Sequence, residues 1–363
     1  MEEKKLQQLF ETIKKYSQID AMSRFEEPIV DELKKSVMDD SLICQLDGMG
    51  SVIFSQNKQP NQGPIIQIAA HMDEVGFIVQ DISEKGQLIL SMIGGIWPLT
   101  VIGTKAIVYT NKQKKYEGVF GHTSIHILEQ EKINQAPKLK DLYVDLGFKT
   151  KAEAVAAGIE VGDPVYMTGD VFLMNEKYIV GKAIDNRAGV AILEILINRL
   201  KSKKLNNKVY FVGTTQEEVG TRGSKTSVQK IKPQIAIAID TCAAHDTKGA
   251  ISGIQELGLG AALRIKDGGT LMDPKLIKYL LDIAKEKNIK VYKYVAQGGG
   301  TDAEELQYAN GGAATITISI PQRYLHSPLG VAHLEDIEAI INLVEQFILK
   351  ISETDYKNYL EYQ

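Results

Sequence analysis

A chain of 363 residues exceeds what one hydrophobic core usually organises, which predicts two domains or one domain with a large insertion. Hydrophobic residues at 44% and charged residues at 24% exclude a disordered or fibrous chain, and a net charge of −4 without a basic stripe excludes nucleic acid as a partner. Cys44 and Cys242 are too few for a disulfide framework and fit a reducing compartment, so the expected location is the cytoplasm.

The opening MEEKKLQQLFETIKKY intersperses acids and bases, and Leu6, Leu9, Phe10 and Ile13 recur at helical spacing. It reads as an amphipathic helix, not a secretory signal. Ile65 to Ala70 is a short apolar run typical of a buried strand, and it ends at His71. From about Gly76 to Asp163 the texture changes: β-rich pieces such as Gln87 to Met92 and Lys105 to Thr110 alternate with Gly, Pro and Asn, predicting an inserted β-domain.

From Gly181 onward, helices and strands alternate. Leu193, Leu196, Ile197 and Leu200 mark a helix, followed by strands at Val209 to Thr214 and Ile235 to Ile239. A helix with Ile277, Leu280, Leu281 and Ala284 precedes strands near Val291 to Val295 and at Ala314 to Ile320. The closing helix carries Ile337, Ile340, Ile341, Val344 and Ile351. This alternation predicts an α/β protein whose mixed, mostly parallel sheet is flanked by helices. No run of about 18 apolar residues is present, so no membrane span is expected.

Ligands of open α/β sheets gather beyond the carboxyl ends of the strands. Five segments place polar residues there: IIQIAAHMDEVG with His71 and Asp73, GKAIDNRAGVA with Asp185, YFVGTTQEEVGTRGS with Glu217 and Glu218, IAIAIDTCAAHDT with Asp240, and TISIPQRYLHSP with His326. Imidazole and carboxylate without thiolate suit Zn²⁺, Co²⁺ or Mn²⁺. A dinuclear site requires one carboxylate bridging ions about 3.5–4 Å apart, each ion completed by an imidazole and a carboxylate. One further carboxylate must stay free as proton carrier, and the Glu217–Glu218 pair offers one ligand and one base. In the H-x-D of His71 and Asp73, the aspartate is placed to orient a metal-binding imidazole.

Taken singly, each residue also has an ordinary explanation. A histidine after a strand is more often a hydrogen-bonded structural residue, and an EE pair is usually a solvated turn; the joint pattern favours metal. Cys242-x-x-His245 supplies too few ligands for a further site, so Cys242 is expected in ordinary packing and His245 at a site edge or the surface. His122, His126 and His333 are expected to be structural or surface groups. The Gly298 to Gly300 run lacks both a P-loop ending and dinucleotide-fingerprint spacing, so peptide backbone is its expected companion.

AAHMDEVGF, AIDNRAG, QEEVGTRG, GGGTDA and RYLHS stand in one order along nearly the whole chain. Together they resemble the M42 glutamyl or deblocking aminopeptidases. The resemblance implies a zinc-peptidase-like catalytic domain of residues 1–73 and 165–363, with a PDZ-like or β-barrel dimerisation domain inserted at 74–164. It implies that Asp185 bridges two divalent metals, Zn²⁺ or Co²⁺ with Mn²⁺ as a further candidate. His71 and Asp240 would complete one metal, Glu218 and His326 the other. Glu217 would be the general base acting on a water shared by the metals, and Asp73 would support His71. Gly298, Gly299, Gly300, Thr301 and Asp302 would line the substrate pocket.

The implied substrates are peptides with a free N-terminus, and the implied assembly is a homo-oligomer of dimers forming a dodecamer. The chain departs from the family pattern at Glu304-Glu305, where a small residue is usual, and at Cys242 and His245. The competing expectations are a two-metal deacylase of N-acyl amino acids and a metal-stabilised shell without catalysis. A cellulase is disfavoured because nothing in the sequence resembles a sugar-binding groove with paired carboxylates.

Overall fold

The apolar runs become the centre of an eleven-stranded mixed sheet in a computed structural model that describes residues 2–362. Met1, the first residue of the expected N-terminal helix, lies outside the described residues. Lys208–Thr214, Ile65–His71, Ile235–Ala243 and Ala314–Arg323 lie side by side and parallel. Nearly every residue in these four strands is buried, which is why they read as continuous apolar runs and not as alternating ones.

Antiparallel strands flank this centre. Val52–Gln56 and Leu42–Leu46 extend one side; Gly330–His333, Tyr178–Gly181 and Phe172–Met174 extend the other. Ala261–Lys266 and Val291–Val295 branch from Ala314–Arg323. The register decides what meets at the carboxyl edge. Thr214 pairs with His71, and Ala238 pairs with Ala69, so Asp240 stands level with His71.

Helices Glu2–Ser17, Ile184–Leu200 and Leu334–Lys350 pack on one another and on the sheet. Helix Ile184–Leu200 is the most enclosed of them, with apolar residues on all sides, so the narrow amphipathic stripe of a surface helix is absent. Among the described residues no helix is long and apolar enough to cross a membrane.

The β-rich insertion is a closed antiparallel barrel of Gly76–Ile82, Leu88–Ile93, Tyr143–Asp145, Lys115–Gly121, Lys105–Tyr109 and Pro164–Met167. Phe77, Val79, Leu90, Val108, Phe120, Val144 and Val165 fill it, with the Phe77 and Phe120 rings 5.3 Å apart. Closure removes the exposed sheet edges that an open insertion of this size would present.

A buried ionic knot fastens the N-terminal segment to the sheet beneath the barrel. Arg187 is wholly buried and donates to the carbonyls of Met72 at 2.9 Å, Tyr16 and Ile19 at 2.8 Å each, and Ala21 at 2.7 Å. It also reaches Glu74 at 3.3 Å, and Glu74 receives Lys182 at 2.7 Å. A planar guanidinium can serve so many acceptors at once, and removing it takes that donor from four backbone carbonyls and leaves Glu74 with Lys182 and the Ala21 N–H alone. Arg187→Met is therefore expected to destabilise the fold by roughly 3–5 kcal/mol. A urea titration followed by fluorescence and circular dichroism checks this, and an unshifted midpoint would refute it.

Candidate metal centre

Five of the expected residues converge at the carboxyl edge of the parallel strands. His71 ends one strand, and Asp240 projects from its neighbour. Asp185 precedes the regular part of helix Ile184–Leu200: Asp185 and Asn186 have non-helical dihedrals, joined by a cis peptide bond. Asn186 then acts as the true cap, its Oδ1 accepting the Gly189 N–H at 3.1 Å, while its Nδ2 donates to the Ile239 carbonyl at 2.7 Å. Gly189 is demanded by this approach, because a Cβ there would stand 2.3 Å from Asn186 Oδ1.

His71 Nε2 lies 3.1 Å from Asp185 Oδ1 and 3.5 Å from Asp240 Oδ1. His326 Nε2 lies 3.4 Å from Asp185 Oδ2 and 3.3 Å from Glu218 Oε1. Donor atoms of His71, Asp185 and Asp240 thus form one group within 4.8 Å, and those of Asp185, Glu218 and His326 form a second. Asp185 belongs to both. A third group of His71, Glu217 and Glu218 overlaps them.

Both imidazoles are oriented from behind. His71 Nδ1 donates to the Asp73 carbonyl at 3.1 Å, and His326 Nδ1 donates to the Gly95 carbonyl at 2.5 Å. A carbonyl can only accept, so each Nδ1 carries a hydrogen and each ring turns its Nε2 toward carboxylate oxygens. A lone pair facing anions at these distances is repulsive unless a cation or a proton stands between them. Glu218 Oε1 is also buried without a hydrogen-bond partner. The donor set therefore fits divalent cations with imidazole and carboxylate ligands.

The titration behaviour follows from the same crowding. Burial works against charging His71, but Asp185, Asp240 and Asp73 outweigh it and hold its pKa well above the ordinary range. Burial likewise opposes charge on His326, yet Asp185 and Glu218 carry it up to about 11. Asp185 resists burial through His326 and His71 and stays well below the usual carboxylate range. Glu218 is pushed up to about 6 by burial. Glu217 is pushed well above the carboxylate range by burial and by Asp240, Glu218 and Asp302.

Asp73 holds the rear of the site together. It is fully buried and accepts from Ser23 Oγ at 2.6 Å, Glu217 N–H at 3.1 Å and Glu218 N–H at 3.2 Å, with His71 Nδ1 3.4 Å from its Oδ1. One carboxylate thus fixes both the imidazole and the loop bearing the glutamate pair. Gln216 and His326 adopt left-handed backbone conformations at φ 56° and 53°, and Ala183 does so at 51°. Such conformations cost on the order of 1 kcal/mol each in non-glycine residues and tend to gather at functional sites.

A cavity of about 630 Å³ opens in front of the cluster, lined in part by Gly298, Gly299 and Gly300. Thr301 and Asp302, expected at the substrate, do not line it. Thr301 is buried on Thr317 Oγ1 at 2.7 Å, and Asp302 is buried as the acceptor of the Thr214 hydroxyl. The polar side chains turn inward because the four-residue helix Ala303–Leu306 starts there and packs on the sheet.

Several contributors escape sequence reasoning. Thr241 Oγ1 donates to Asp185 Oδ2 at 2.8 Å, and Ser23 and Gly95 reach the site from distant segments. The GGIWP stretch at Gly94–Gly95 was the one available hint of a close approach. His245 lines the cavity, and Cys242 packs with Ala262 and Tyr294. His122 and His126 are exposed. His333 stacks edge-on against Tyr178 and caps the last long helix.

A helix-flanked mixed sheet with imidazoles and carboxylates clustered at its carboxyl edge defines a metallopeptidase-type hydrolase. The M42 glutamyl aminopeptidase family model matches residues 50–343. A glutamyl aminopeptidase of Lactococcus lactis is 36% identical over 91% of this chain and 92% of its own length. Among solved structures, an aminopeptidase of Desulfurococcus kamchatkensis superposes with a TM-score of 0.92 at 33% identity, covering 98% of this chain and 99% of that one. The TET1 peptidase of Pyrococcus horikoshii, which can assemble into a tetrahedron or a large octahedral shell, gives 0.85 at 31% identity over 94% and 100% of the two chains. The chain belongs to the M42 family and is an aminopeptidase.

Replacing Gly189 by alanine should push Asn186 off its cap and displace Asp185. The expected cost is roughly 1–3 kcal/mol, visible as a lower unfolding midpoint, together with at least a tenfold weaker metal affinity by competitive chelation, about the effect of losing an orienting partner. Wild-type values for both would show that the cap does not position the carboxylate.

Proposed function

We propose that the chain removes single residues from the N-termini of peptides at a centre of two divalent cations, with Asp185 as the shared ligand. The observation that carries this is the pair of donor groups meeting at Asp185, with a glutamate, Glu217, beside them. His71 and Asp240 would hold one cation, and Glu218 and His326 the other. Zn²⁺ or Co²⁺ suits these ligands, and Mn²⁺ is a further candidate. Bound there, the cations would supply Lewis acidity toward the scissile carbonyl and an anchor for the free α-amine.

The chain's own residues supply the proton traffic. Glu217 carries no hydrogen bond on its carboxylate among the described residues, so its oxygens are available to a reacting water. It takes the proton from the attacking water and returns it to the departing amine. Asp73 and Ser23 hold the Glu217–Glu218 backbone in place for that exchange. The three glycines of 298–300 let a peptide backbone approach the cluster closely.

The same reading takes 1–73 and 165–363 as the catalytic unit and 74–164 as a dimerisation unit, with dimers joining into a dodecamer. A solved TET1 relative described as a dodecamer, 30% identical over 94% of this chain, supports the twelve-subunit assembly. A cytoplasmic location is supported by the two free cysteines.

Purified enzyme is expected to cleave aminoacyl reporter amides and to leave their N-acetylated counterparts intact; the opposite preference would favour a deacylase. Glu217→Gln should retain wild-type metal content by mass spectrometry while turnover falls by about 10²–10⁴-fold, the usual worth of a general base. Turnover within about tenfold of wild type would remove Glu217 from the role. Asp185→Ala should lose both metal and activity, and Zn²⁺, Co²⁺ or Mn²⁺ should revive chelator-treated wild type but not this variant. Full metal content in Asp185→Ala would rule out its bridging position.

A further inference from the structure

Beyond the cluster itself, two formally charged side chains line the cavity: Arg264 and Glu304. They differ in what they have left to offer. Arg264 is 4% exposed and committed to the protein, donating to Tyr294 Oη at 2.6 Å, Thr241 O at 2.8 Å, Asp267 Oδ2 at 3.1 Å and Ser319 Oγ at 3.2 Å. Its charge is matched by Asp267 inside the wall. An incoming carboxylate would compete with that pairing.

Glu304 is the reverse case. Among the described residues its carboxylate accepts no hydrogen bond and forms no ion pair. The cation beside this short helix, Lys225, is taken by Glu305 at 3.1 Å, and Lys266 donates to the Asp267 carbonyl at 3.2 Å. The Glu304 carboxyl instead lies folded over two glycines. A Cβ on Gly269 would stand 2.6 Å from its Oε2, and one on Gly300 would stand 2.9 Å from the same atom. Glycine at both positions makes room for the anion in the cavity wall, next to the loop expected to meet peptide backbone.

A part-buried carboxylate without a partner has lost solvation and gained nothing in return, so a cation entering the cavity is favoured there and an anion is repelled. The ligands of the cluster are accounted for without it. We propose that Glu304 is a specificity-determining residue that favours peptides beginning with lysine or arginine, its carboxylate pairing with the ammonium or guanidinium of that first side chain. This rests on the aminopeptidase reading of the same site, in which the α-amine is held at the cluster and the first side chain extends into the cavity.

The test compares kcat/KM for reporter amides of Lys, Arg, Leu and Glu in wild type, Glu304→Gln and Glu304→Lys. Ratios between substrates are read within one enzyme sample, so partial misfolding of a variant cancels. Wild type should prefer Lys and Arg over Leu, with Glu the poorest. In Glu304→Gln the Lys-to-Leu ratio should fall about tenfold, chiefly through a higher KM for Lys, and Glu304→Lys should raise the Glu-to-Leu ratio above the wild-type value. Three results would overturn the proposal: a wild-type preference for Glu, ratios within about twofold of wild type in both variants, or an equal loss on every substrate, which would mark Glu304 as a holder of the α-amine or of the loop. Cleavage of N-acetylated amides alone would instead bring down the aminopeptidase reading, and this assignment with it.

Discussion

Two imidazole Nε2 atoms turned toward a shared carboxylate set the terms for everything around them. Asp185 stands between His71 and His326, and each histidine has spent its Nδ1 hydrogen on a backbone carbonyl. Glu218 and Asp240 add further negative charge to the same small volume. Without a positive charge inside it, the cluster would be held together against its own electrostatics. Precise scaffolding is the structural counterpart of that frustration, because side chains that repel one another stay close only when each is fixed from behind.

The scaffolding has three layers. Parallel register brings His71 and Asp240 level at the strand ends. The Asn186 cap and the cramped Gly189 fix where Asp185 leaves the helix. Asp73 then ties the glutamate loop to the His71 side, while the Arg187 and Glu74 knot anchors the N-terminal segment that delivers Ser23. The second and third layers consist of buried polar contacts that are costly to break but contribute specificity of geometry more than net stability.

Much of this was legible in the sequence, for a physical reason. His71, Asp185, Glu218, Asp240 and His326 each follow or adjoin an apolar run, so a charge at a strand end betrayed itself by contrast with its neighbours. The β-rich insertion showed as a change of period, and it closes as a barrel. Thr301 and Asp302 misled because a glycine loop suggests exposure, whereas the short helix after it draws both inward. Thr241, Ser23 and Gly95 carried no signal, since their contacts depend on strand order and long-range packing. The exclusive commitment of Arg264 and the isolation of Glu304 are of the same kind: both are facts about partners, and partners are invisible along a chain.

The contact between His326 and Gly95 joins the sheet to the barrel arm through a single hydrogen bond of 2.5 Å. Gly94 abuts the same neighbourhood, with Val75 and Glu218 close to where its Cβ would be. The orientation of an imidazole on the sheet is therefore set by a backbone carbonyl from the segment that follows barrel strand Leu88–Ile93. The insertion is thus part of the cluster's construction and not a separate appendage, since the ring it holds faces Asp185 and Glu218.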